Sequence, residues 1–94
     1  MTKTENLLPI GSVVKLKESE KKMMVAGILI NNGERKYDYL GVMHPEGFVD
    51  SRQIFLFNHE DIEEVFFFGY MNAEFQMFRG ALAQKMEGNG ESAL

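Results

Sequence analysis

Residues 22–44 read KMMVAGILINNGERKYDYLGVMH, and the way this stretch pairs with itself decides the fold. Its first half, Lys22 to Ile30, is a nearly continuous apolar run containing β-branched Val25, Ile28 and Ile30. Such a run suits a strand covered on both faces, in the middle of a sheet. The second half, Lys36 to His44, carries Tyr37, Tyr39, Leu40 and Val42, residues that also favour extended backbone. Between the halves, Asn32-Gly33 offers the positive φ values that a type I′ turn requires. The stretch therefore predicts a β-hairpin over Met23 to Met43, with Gly41 as the expected site of a bulge.

Working outward, Val14 and Leu16 alternate with Lys15 and Lys17, so Ser12 to Lys17 is expected to be a half-buried strand after the Pro9 and Gly11 punctuation. On the other side, His44-Pro45-Glu46-Gly47 forms a tight turn, because Pro45 cannot donate to a ladder and Gly47 accepts a positive φ. Gln53 to Phe57 reads as a strand, and Asn58 caps a short acidic helical turn. Glu64 to Tyr70 holds Val65 and three consecutive phenylalanines, which predicts a strand that Gly69 ends or bulges. Beyond Asn72 the period changes. Phe75, Phe78, Leu82 and Met86 form the stripe of an amphipathic helix over 73–86, with Asn72 as N-cap and Gly88 as terminator.

These elements predict an α+β fold: a small, strongly bent antiparallel β-sheet or open barrel of about five strands, with a C-terminal α-helix packed on it. The chain of 94 residues is too short to divide its core, so a single domain over 7–87 is expected, with flexible termini at 1–6 and 88–94. Its hydrophobic content of 45% and its eight phenylalanines are enough to build that core.

Composition also excludes chemistry. Without cysteine there is no disulfide framework, thiolate metal site or thiol nucleophile. His44 and His59 lie far apart in sequence, and the acids around His59 (Glu60, Asp61, Glu63 and Glu64) read as a capped, solvated turn. The four serines lack a nucleophile-elbow context, and no pair of acids stands apart from the scattered surface charge. The reading is therefore of a non-enzymatic protein with no catalytic, cofactor or metal residues. A net charge of −4 argues against nucleic acid as a partner. No apolar stretch has the length of a membrane span, and Leu7 to Ile10 is too short for a signal-peptide core, so a cytoplasmic location is expected.

The feature left to carry function is aromatic. Strict alternation sets Phe66, Phe68 and Tyr70 on one face of their strand and Val65, Phe67 and Gly69 on the other. Either both faces are buried in a central strand, or one face joins the helical stripe as a partner-binding surface of Phe66, Phe68, Tyr70, Phe75, Phe78 and Leu82. Lys15, Lys17, Lys21 and Lys22 flank the first hairpin, but Glu18 and Glu20 interrupt them, which suits a solvated, aggregation-resisting edge.

Leu8-Pro9-Ile10-Gly11-Ser12-Val13-Val14, His44-Pro45-Glu46-Gly47, and Phe57-Asn58-His59-Glu60-Asp61-Ile62 followed by Val65 to Tyr70 together resemble the small Gram-positive proteins of domain-of-unknown-function family 4176, over roughly residues 7–80. Members of that family look to be encoded beside type VII secretion genes and LXG-type toxins. The resemblance thus implies an accessory, chaperone-like or targeting role toward a secreted effector, and it brings no functional residue with it. Tyr70 to Glu74 matches the Y-x-x-x-[DE] export signal, a match that three tyrosines among fourteen acids produce readily by chance. The alternatives are a small ligand- or nucleic-acid-binding β-barrel, and a homodimeric or antitoxin-like module.

Overall fold

The computed structural model describes residues 6–89. Five strands form one antiparallel sheet: β1 (Val13–Leu16), β2 (Lys22–Asn31), β3 (Lys36–Met43), β4 (Ile54–Phe57) and β5 (Ile62–Phe67), in the order β4-β3-β2-β1-β5. One helix, α1 (Ala73–Asn89), follows and continues past the expected terminator Gly88. The predicted α+β fold is correct. The side chain of Met86, assigned to the helical stripe, lies outside the described residues, as do termini 1–5 and 90–94.

The hairpin of β2 and β3 sits at the centre, as its apolar composition requires, but its turn differs from the expected one. Asn31 pairs with Lys36, leaving a four-residue loop rather than a two-residue turn. Only Gly33 takes a positive φ there, +96°. The Asn32 side-chain oxygen accepts the amides of Glu34 and Arg35 at 3.0 and 2.9 Å, and Asn31 accepts that of Gly33 at 2.8 Å. These side chains replace the ladder bonds that a tighter turn would make. The bulge is also elsewhere. Gly41 pairs regularly with Val25, and the extra residue is Ala26 on the facing strand. Gly41 is small for another reason: a Cβ there would stand 2.8 Å from the Phe57 ring.

β4 and β5 occupy opposite edges, yet only Asn58 to Asp61 joins them. In a flat sheet four strand spacings would separate them by about 19 Å. A fully extended link of this length spans at most about 17 Å, and this one is shortened by a 3-10 turn over His59–Asp61. The sheet must therefore curl until its edges converge at this end. The turn itself shows the convergence, because the Asp61 carbonyl accepts the Lys17 amide at the end of β1 while the Asn58 side chain accepts the Asp38 amide of β3.

The core fills the hollow of the curled sheet. Val14, Met23, Val25, Ile28, Tyr39 and Phe57 line it, and Leu7, Leu8 and Leu82 close it. The Leu7 to Pro9 segment lies between sheet and helix: the Leu8 amide donates to the Tyr39 hydroxyl at 3.0 Å, and Arg79 of α1 donates to the Leu7 carbonyl at 2.8 Å. Leu7 and Leu8, which precede the first expected strand, are thus core residues.

Candidate functional site

The aromatic strand is an edge strand. β5 pairs with β1 on one side and with no other strand among the described residues. Its first half needs little cover, because Glu63 forms an ion pair with Lys15 at 2.8 Å and Lys15 holds the Glu63 carboxyl below its ordinary range. Its second half is apolar and largely exposed: Val65 is 44% exposed, Phe66 45% and Phe67 60%, and Phe68, just beyond the strand, 52%.

Strict alternation fails here. Val14 pairs with Val65 and Val13 with Phe67, which leaves Phe66 as an inserted residue. Phe66 nevertheless shares a face with Glu64. Lys15 is paired with both Glu64 and Lys22, so the three side chains lie on one side of the sheet, and the Lys22 ammonium sits 4.8 Å over the Phe66 ring. Of the lysines flanking the first hairpin, Lys15, Lys21 and Lys22 are thus engaged locally, Lys21 being bonded to Glu46 at 2.8 Å.

Beyond β5, Gly69 is buried against the Ile10–Ser12 backbone. A Cβ there would fall 2.5 Å from the Ile10 carbonyl oxygen, so only glycine fits. Its amide donates to the buried Ser12 hydroxyl at 2.9 Å, and that hydroxyl donates to the Pro9 carbonyl at 2.8 Å. This anchor separates Phe68 from Tyr70 and carries the chain to Asn72, whose side chain caps α1 by accepting the Phe75 amide at 2.9 Å.

A groove of about 460 Å³ opens where these pieces meet, lined by Ile10, Tyr70, Asn72, Glu74, Phe75 and Phe78. Tyr70 is 79% exposed at its mouth, and Met77 and Phe78 stand exposed on the adjoining face of α1. The helix turns Phe75, Arg79 and Leu82 toward the body instead of the expected line through Phe78. The expected surface is therefore divided. Tyr70, Phe75 and Phe78 meet at the groove, Phe66 and Phe68 belong to the β5 edge, and Leu82, 4% exposed, is a core residue unavailable to a partner. Ile10 and Met77 were missed. Ile10 could have been found from its place between Pro9 and Gly11, where a turn throws a side chain outward.

The polar residues around His59 are committed to structure. The Tyr39 hydroxyl lies 2.6 Å from His59 Nδ1, the Asp38 carboxylate accepts the His59 amide at 2.8 Å, and Asp61 accepts the Asn58 amide at 2.9 Å. Among the described residues, no three His, Asp or Glu side chains are grouped as a metal site would group them. No helix among those residues is long and apolar enough to cross a membrane.

No curated protein and no solved structure matches this chain. A family profile does, over residues 7–78, which include all of the sheet, the Ser12–Gly69 anchor and the groove-forming start of α1. On that match the chain belongs to the family described as domain of unknown function DUF4176.

Proposed function

We propose that this protein is a non-enzymatic, protein-binding accessory factor of the cytoplasm, and that its partner docks an apolar segment into the groove between Ile10, Tyr70 and α1. The single observation that carries the proposal is that Tyr70 and Phe78 are exposed beside a groove whose walls are pinned from behind. Ser12 and Gly69 fix one wall, and Arg79 and Leu82 hold the helix that forms the other. Rigid aromatic anchors around a preformed hollow are what binding hot spots are built from, because little side-chain freedom is lost on docking. The family resemblance supplies the class of partner: a type VII secreted effector of the LXG kind, for which the protein would serve as chaperone or targeting factor in a Gram-positive cell.

The test is calorimetric titration of purified full-length protein with the effectors encoded beside it, in parallel with thermal melts. Tyr70→Ala and Phe78→Ala should each weaken binding by about 2 kcal/mol while the melting transition stays in place. Variants that fold normally and bind every neighbouring effector as the unaltered protein does would reject the groove as the docking site.

A further inference from the structure

We propose that the outer edge of β5 pairs with the same edge of a second copy, antiparallel about a two-fold axis at Val65, to form a weak homodimer with a continuous sheet. The inference stands apart from the groove, since Val65 to Phe68 do not line it.

Three observations select a second copy. The first is charge. Identical edges joined by a two-fold axis must run antiparallel. With Val65 on the axis, Glu64 of one copy lies directly across from Phe66 of the other, on the face where Lys22 sits over Phe66. The carboxylate thereby meets an ammonium already held in place. Moving the axis to Glu64 would set like charges against each other, a destabilising arrangement.

The second observation is area. At about 150–250 Å² per aromatic side chain, the exposed fractions of Val65, Phe66, Phe67 and Phe68 amount to roughly 400 Å² of apolar surface per copy. Two copies cover roughly 800 Å² before the backbone edges are added, which approaches the ~1,000 Å² of a specific interface and fits a weak, concentration-dependent pair.

The third observation is the edge itself. Natural edge strands are blunted by charge or proline, and here the acids protect only the first half of β5. The irregularities of β5, inserted residues at Glu63 and Phe66, disfavour pairing with a long, flat strand and confine pairing about Val65 to the short segment Glu63 to Phe67, which suits a weak pair.

The chain lacks cysteine, so single-cysteine variants of the full chain give an unambiguous test. Residues on a two-fold axis face themselves at a separation a disulfide can span. Under mild oxidation at concentrations where sedimentation shows the dimer, Val65→Cys should link completely, and Glu63→Cys should remain unlinked because it faces Phe67. Phe67→Lys, tested by sedimentation and by circular dichroism for retained fold, should abolish the dimer, and Phe78→Glu should leave it intact. A protein that stays monomeric into the millimolar range would overturn the proposal. So would a dimer in which Glu63→Cys links as fast as Val65→Cys, or one abolished by Phe78→Glu and not by Phe67→Lys.

Discussion

At the scale of the residue, Tyr39 does the most to join separate parts of the chain. Its ring is fully buried against Phe57, its hydroxyl accepts the Leu8 amide, and the same hydroxyl lies 2.6 Å from His59 Nδ1. Burial raises the Tyr39 pKa from 10.0 to about 12, outweighing the opposing bond from Leu8. Since the folded value lies above the unfolded one, the stabilisation this group provides is fully present below pH 10 and is lost as the pH rises from 10 toward about 12. Tyr39→Phe keeps the packing and removes only the oxygen, leaving the Leu8 amide without its acceptor. We expect it to cost about 1–3 kcal/mol near neutral pH in a denaturant titration. The variant should also lose stability less steeply than the parent between pH 10 and 12, and an unchanged alkaline slope would show that another group controls it. Nothing in the sequence marked this tyrosine apart from Tyr37. Alternation predicts that two such residues share a face, but which of them meets Leu8 depends on contacts across the whole chain.

At the scale of the element, legibility follows the range of the forces involved. The β2–β3 hairpin was legible because its signal is local, an apolar run and a polar loop with glycine where the chain reverses. The Asn58 turn was legible for the same reason, since capping chemistry is written within a few residues. The position of β5 was not. Phenylalanine content indicates an extended strand, but strand order comes from pairing with distant β1, and that pairing made an edge of a strand whose composition suits a centre. Half of the candidate site was hidden by this, because an inserted residue at Phe66 and an anchor at Gly69 reset the alternation on which the expected face depended. Gly69 therefore gives the element-level prediction. Gly69→Ala would drive a methyl group into the Ile10 carbonyl, with no flexible side chain to yield, and should destabilise the fold by at least about 1–3 kcal/mol. Ser12→Ala should cost about 1–3 kcal/mol by orphaning the buried Gly69 amide. If both variants melt with the parent, this anchor does not hold β5 to the N-terminal segment.

At the scale of the whole molecule, a curled five-stranded sheet has one hollow to fill, and a chain this short fills it from both ends: Leu7 and Leu8 before the sheet, Leu82 after it. Closure by two separate segments explains how a Phe-rich protein leaves five of its eight phenylalanines exposed. The hollow is occupied mainly by leucine, valine, isoleucine and methionine, with Tyr39 and Phe57 buried in it and Phe55 and Phe75 packed against it, so Phe66, Phe67, Phe68 and Phe78 are surplus to the core. The same geometry makes stability and binding separable within one helix. Leu82 and Phe78 are one turn apart on α1, but Leu82 is buried in the hollow while Phe78 borders the groove. Leu82→Ala should lower unfolding free energy by about 2–5 kcal/mol, the range for deleting a buried leucine. Phe78→Ala should lower it by less than about 1 kcal/mol. Urea titrations of the two variants decide the matter. Equal and large losses would mean that Phe78 is part of the core and the groove is a packing seam, whereas equal and small losses would mean that α1 does not close the sheet at all.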